Sequence, residues 1–232
     1  LILIMSNTLC IIPARGGSKR IPKKNVKEFH GKPIIAYSID TALKSGLFKE
    51  VMVSTDCEEI KRTSQMYGAE VPFLRSETNS NDFATTADVV NEVLEAYRKE
   101  GHTYDEICVL YPCAPFVSVE DLTSAKRLLN KYDCVIPVVR FDFPPFRSFE
   151  ISESKLRYKW PEYEKSRSQD LEELFHDAGQ WYFFKNEEQY HESLVKRSTS
   201  PLILESNKVQ DIDTISDWKL AELKFQILNE GV

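Results

Sequence analysis

TLCIIPARGGSKRIPKKN, Thr8 to Asn25, turns abruptly from apolar to basic. TLCIIPA is a continuous apolar run ending at glycines, the pattern of a strand buried on both faces. Beyond it lie Gly16 and Gly17 and five basic residues, Arg15, Lys19, Arg20, Lys23 and Lys24. A buried strand opening into glycines and positive charge is where an α/β protein binds phosphate, through backbone N–H groups and cationic side chains. A solvated charged turn and a nucleic-acid or localisation patch are the competing readings of such a run. The GxxxxGK[ST] spacing of a Walker A loop is absent, and so is GxGxxG, which disfavours P-loop and dinucleotide readings.

Outward from this stretch, strand and helix patterns alternate. Pro33 opens a helix over PIIAYSIDTALKS that ends at Gly46. EVMVST reads as a strand, EEIKRTSQMY as a helix closed by Gly68, and ADVVNEVLEAYRKE as a long helix capped by Thr86. EICVLY and CVIPVV are further strands, separated by a helix whose start, SVED, reads as a capping box. This alternation predicts a mostly parallel, doubly wound, Rossmann-like α/β sheet with helices on both faces. Ligands in such sheets bind beyond the carboxyl ends of the strands.

From Phe141 the texture changes, and FDFPPFRSFEISESKLRYKWPEYEKSRSQDLEE is rich in aromatics, proline and charge without a clean period. It reads as an excursion from the sheet that forms a dimerisation arm. GQWYFFK then resumes as a strand, KVQDID as a short strand, and ISDWKLAELKFQIL as a closing amphipathic helix. The expectation is one domain over 8–232 with the arm inserted at 141–175.

The net charge of −6 disfavours wholesale attraction to nucleic acid or an anionic membrane, so any anion site is local. LILIM at the start is far shorter than the roughly 20 residues that span a bilayer. It also lacks the basic region and cleavage site of a signal peptide. Met5 is read as the natural start, and Leu1 to Ile4 are set aside from fold reasoning. The five cysteines form no CxxC pair, which points to a reducing cytoplasm and away from zinc.

PARGGSKRIPKKN resembles the opening motif of the CMP-sialic acid synthetase (acylneuraminate cytidylyltransferase) family. The likeness continues in order through GKPIIAYSI, VSTDCEEI, GAEVPFLR, YPCAP and DIDT, and so spans Leu9 to Leu223. Within the family, RSQDLEELFHDAGQWYF is most similar to the pseudaminic acid cytidylyltransferases. The resemblance implies the nucleotidyltransferase (glycosyltransferase-A-type) fold. It also implies a reaction of CTP with a nine-carbon 2-keto sugar acid, giving the CMP-sugar and diphosphate.

The same resemblance distributes roles. Arg15 and Lys24 stabilise the leaving diphosphate together with the amides of Gly16 and Gly17. Ala14, Asn25, Arg75, Asp82 and Thr85 hold the nucleotide, and Asp211 and Asp213 bind Mg²⁺. Residues i and i+2 of an extended segment point to one side, so both carboxylates face one site, and magnesium takes few carboxylates plus phosphate oxygens and water. The competing role of Asp213 is to help Thr214 cap the next helix. Tyr111, Gln169, His176, Asp177 and Gln180 are the sugar-binding candidates, with His176 assigned recognition rather than proton transfer. Tyr111 stands where sialic acid enzymes carry the glutamine of LQPTSP, which suggests a less hydroxylated or differently oriented sugar. Cys113 lines this region or packs beneath it. No general base is identified. The alternatives are a synthetase for CMP-sialic, CMP-legionaminic or CMP-Kdo sugars, a catalytically silent nucleotide-binding regulator, and a nucleic-acid module.

Overall fold

The computed structural model describes residues 7–186 and 198–230. The LILIM segment, the stretch 187–197 and the last two residues lie outside them. In chain order the sheet elements and helices begin with β1 (Thr8–Pro13), the short hairpin β2 (Glu28–Phe29) and β3 (Lys32–Pro33), and α1 (Ile34–Ser45). They continue through β4 (Glu50–Ser54), α2 (Glu58–Met66), α3 (Thr86–Lys99), β5 (Glu106–Leu110), α4 (Val119–Leu128) and β6 (Cys134–Arg140). After these come β7 (Phe149–Ser152), β8 (Lys155–Tyr158), β9 (Phe175–Asp177), β10 (Trp181–Lys185), β11 (Thr199–Leu204) and α5 (Ile215–Glu230).

The main sheet has seven strands in the order β11-β6-β10-β5-β1-β4, with β9 also paired to β6. β1 runs parallel to both β4 and β5. Both faces of β1 are covered, which explains its unbroken apolar sequence. Its alternate side chains enter two separate cores. Cys10 and Ile12 pack with Ile35 and Ile39 of α1, Ile60 of α2 and Leu122 of α4. Leu9 and Ile11 pack with Val90, Val93 and Tyr97 of α3. The two-faced parallel arrangement expected from the alternating pattern is therefore present.

Two local expectations are corrected. The cap of α3 is Thr85, not Thr86: its side chain accepts from the Asp88 amide, and the Asp88 side chain accepts from the Thr85 amide. Both threonines suit a cap chemically, and the reciprocal partner three residues on selects the first. KVQDID is not a strand; a 3-10 turn over Ser206–Lys208 leads into an irregular segment. The strand here is β11, parallel to β6 and without a partner on its other side among the described residues, where Pro201 can be tolerated. The GQWYFFK strand is present as β10 but runs antiparallel between β5 and β6. The SVED capping box of α4 forms as read, between Ser118 and Asp121.

A third, smaller core closes α5 over the basic loop. Ile21, Phe29, Phe116, Ile212 and Trp218 are buried there together. Between β6 and β9, the hairpin β7–β8 pairs only with itself among the described strands. All five cysteines are free thiols. No described helix is long and apolar enough to cross a membrane.

Candidate active site

The carboxyl ends of β1, β4, β5 and β6 and the amino end of the antiparallel β10 share one edge of the sheet. A cavity of about 280 Å³ opens there. Arg15, Lys19, Arg20, Lys24 and Asn25 of the basic loop line one part of it, and Tyr111, Cys113, Asp211 and Asp213 line the rest. The structure thus brings together residues far apart in the chain.

Ile212 explains the orientation of the two acids. It is 2% exposed in the third core, so its neighbours Asp211 and Asp213 are turned to the opposite side, into the cavity. Asp213 does not cap α5 with its side chain. Thr214 and Asp217 perform that task reciprocally, with Asp217 also accepting from the Asp213 amide. The Asp213 carboxylate instead lies 2.8 Å from Arg20 Nη2 and 3.7 Å from Lys24 Nζ. Lys24 also donates to the Ile212 carbonyl at 2.7 Å. Burial and the adjacent Asp213 charge push the Asp211 carboxyl above its ordinary value, and Lys24 and Arg20 oppose that rise. Two neighbouring oxygen ligands of like charge, in a cavity large enough for phosphate, are a donor set that fits a divalent cation such as magnesium.

The basic loop is organised by hydrogen bonds on both sides. Asn25 donates to the Arg15 carbonyl at 3.0 Å, and its Oδ1 accepts from Cys113 Sγ at 3.3 Å. Burial pushes the Cys113 thiol up to about 12, so it remains a neutral donor. Gly16 is needed for close approach, because a Cβ there would lie 2.8 Å from the Cβ of Cys57. Its amide donates to the Asp56 carboxylate at 2.7 Å rather than facing the cavity, while Gly17 borders open space. Arg15 donates to Asp82 at 2.8 Å, and Lys19 bonds the other oxygen of the same carboxylate. These two donors hold Asp82 below the usual carboxylate range. Lys23 turns away to Glu59 at 2.8 Å.

The remaining nucleotide candidates sit further back. Ala14 is buried, its amide bonded to the Ser54 carbonyl. Arg75 is only 8% exposed and donates to Ser54, tying its own segment to the end of β4. The Thr85 hydroxyl is committed to the α3 cap.

A second cavity of about 490 Å³ adjoins the first, and Gln210 and Asp211 line both. His176, Asp177, Arg140 and Lys224 are among its polar walls, with Phe141 and Phe143 beside them. The His176 ring packs against Phe141 with centroids 4.7 Å apart. Asp177 accepts from the Gly179 amide and from Tyr182 Oη, each at 2.7 Å. Tyr111 lines the first cavity, its hydroxyl 3.2 Å from Thr86 Oγ1 and its ring edge-to-face with Tyr182. Two sugar candidates lie elsewhere. Gln180 is 3% exposed and donates to the Lys208 carbonyl. Gln169 is exposed, in the 3-10 turn Ser168–Asp170 of the segment after β8.

Arg20, Gln210, Arg140 and Lys224 are the site residues that the sequence reading did not single out. Only Arg20 carried a usable signal, its place in the basic run. Gln210 adjoins the DIDT motif, and Arg140 and Lys224 come from segments that no motif marks.

A family model described as cytidylyltransferase matches residues 9–197. The chain is 41% identical over 227 residues to a pseudaminic acid cytidylyltransferase of Campylobacter jejuni, covering 96% of this chain and 98% of the relative. It is 32% identical over 233 residues to a CMP-N,N'-diacetyllegionaminic acid synthase of Legionella pneumophila, with 97% and 98% covered. The solved structure of a CMP:2-keto-3-deoxy-manno-octonic acid synthetase complexed with CTP matches at a TM-score of 0.68 and 17% identity. That match covers 97% of this chain and 100% of the other, and at this identity it is a likeness of fold.

Proposed function

The chain belongs to the cytidylyltransferase family, and from that membership we propose that it couples CTP to the nine-carbon 2-keto acid pseudaminic acid. The oxygen of the sugar's anomeric hydroxyl attacks the α-phosphorus, and the bond to the β-phosphate oxygen breaks. Diphosphate leaves with that electron pair, CMP-pseudaminic acid forms, and the hydroxyl proton is released. The observation that carries the reading is the pair of adjoining cavities that share Asp211, one lined by the cations of the glycine loop and the other by His176 and Asp177.

The triphosphate occupies the first cavity. Arg15 and Lys24, placed before the reaction begins, meet the negative charge that gathers on the leaving diphosphate. Asn25 keeps the Arg15 backbone in place, and Asp82 holds the Arg15 guanidinium until phosphate replaces it. Asp211 and Asp213 would hold a magnesium ion, which when bound neutralises charge at the reacting phosphate. The sugar acid occupies the second cavity, so its anomeric oxygen approaches across the Asp211 boundary. His176 and Asp177 read the sugar there, and Tyr111 meets it from the wall of the first cavity.

The protein works as a homodimer in the cytoplasm, with 141–175 as the dimerisation arm. Ile151 is 77% exposed on the β7–β8 hairpin, and Phe149 and Leu156 beside it are also exposed, which supports an apolar contact with a second copy. The arm position of Gln169 fits a sugar contact made in the partner's site. The free thiols support a reducing compartment.

The test is diphosphate release in Mg²⁺ with each nucleoside triphosphate and a panel of nonulosonic acids. Release is expected with CTP, fastest with pseudaminic acid. No release with any sugar acid overturns the enzyme reading. Release with sialic or legionaminic acid at least as fast overturns the substrate. Asp211→Ala is expected to abolish turnover with the circular dichroism spectrum unchanged, and full activity in that variant removes the metal assignment.

A further inference from the structure

The segment that carries Asp211 and Asp213 has no sheet ladder behind it. Among the described residues, Val209 to Asp213 pair with no strand, although they run beside the cavities. A chain without a ladder leaves its carbonyls to find other donors. Side chains of α5 and the basic loop supply two of them, Gln210 of the segment itself bonds the Asp211 carbonyl, and the turn leading in is held by donors from α5 and the start of β10. Lys224 of α5 donates to the Ser206 carbonyl at 3.2 Å and the Val209 carbonyl at 2.8 Å. Gln180, at the amino end of β10, donates to the Lys208 carbonyl at 2.9 Å. Lys24 of the basic loop takes the Ile212 carbonyl.

We infer that Lys224, from the wall of the second cavity, and Gln180, from the buried side, are positioning residues for the Asp211 carboxylate, fixing a ligand segment that lacks the rigidity of a strand. The inference rests on the metal role of Asp211 stated above. Gln180 is almost fully buried, and its one described side-chain bond is to the Lys208 carbonyl, at the end of the turn that leads into this segment. The Lys224 ammonium is partly buried at a cost, since desolvation pushes its pKa down against the pull of Asp142. That cost is met by two carbonyls within two residues of Asp211 or of the turn leading to it. Because Gln180 immediately precedes β10, the strand next to β5, and Lys224 projects from α5, the acid's position is referred to both the sheet and the closing helix. Lys24 belongs to the phosphate site and also touches the segment, so the same backbone is fixed from the side of the reaction as well.

The test compares Lys224→Met, Lys224→Arg and Gln180→Met with the unaltered full chain. Steady-state kinetics give kcat, KM for CTP and the Mg²⁺ midpoint. Mn²⁺ affinity in the presence of a non-hydrolysable CTP analogue, read by electron paramagnetic resonance, gives a measure independent of turnover. Lys224→Met and Gln180→Met are each expected to lower kcat or Mn²⁺ affinity about 10- to 100-fold. KM for CTP should change little, and Lys224→Arg, which still donates, should recover most of the loss. A fall in thermal stability alone, with Mn²⁺ affinity and kcat unchanged in both donor-less variants, overturns the inference. If Lys224→Met does not fold, Gln180→Met decides it. Asp211→Ala separates this failure from that of the metal reading. Retained Mn²⁺ affinity in Asp211→Ala removes both, whereas loss there beside unaltered Lys224→Met and Gln180→Met removes only the positioning role.

Discussion

Within the basic run, five residues of similar chemistry have different fates. Lys23 spans to Glu59 at the start of α2, away from the cavity, whereas Arg20 and Lys24 reach Asp213 and Arg15 and Lys19 reach Asp82. Lys24→Ala is expected to lower kcat by about 100-fold, the usual cost of removing one preorganised donor at developing charge. Arg20→Ala should lower it less, because its guanidinium is more exposed. Lys23→Ala should leave kcat at the wild-type value. Steady-state kinetics on the three variants check the order, and a large loss in Lys23→Ala contradicts the division. The sequence marks all five as cationic. It does not distinguish them, because the partner acids lie in other elements and only folding sets which acid each side chain reaches.

Among the elements, those held by local chemistry were legible. The unbroken apolar strand β1, Gly46 closing α1 with φ of 62°, and the reciprocal Ser118–Asp121 cap follow from neighbouring residues. The α3 cap belongs to the same class, although its position shifts by one. Thr85→Ala should remove that cap at a cost of about 1 kcal/mol. Urea unfolding followed by circular dichroism measures this, and Thr86→Ala is expected to cost less. Elements set by distant pairing were not legible. WYFFK is equally apolar whether it runs parallel or antiparallel, and its direction is fixed by hydrogen bonds to β5 and β6. The segment before Asp213 looks like a strand in sequence, yet side-chain donors rather than a ladder satisfy its carbonyls.

For the whole molecule, the excursion between β6 and β9 was visible as a break in composition. Its exposed apolar hairpin carries the expectation of a dimer. Ile151→Asp should convert the sedimenting species from dimer to monomer while the far-ultraviolet circular dichroism stays the same. An unchanged sedimentation coefficient would argue against this hairpin as the contact. The lack of a clean hydrophobic period in 141–173 has a physical basis, since β7 and β8 expose nearly all their side chains and bury no face within the chain.

The sequence by itself determined the mostly parallel α/β architecture, the basic glycine loop at the carboxyl end of β1, and the side-by-side acids Asp211 and Asp213. Each of these depends on short-range order: buried runs, glycine placement, and the two-residue period of an extended chain. Tertiary structure alone decided that Gln180 is buried and bonds the Lys208 carbonyl rather than lining either cavity, that Asp82 holds Arg15, and that Asp211 borders both cavities. Those contacts join residues from different strands, helices and loops. Their distances are set by packing around the sheet, which no local pattern encodes.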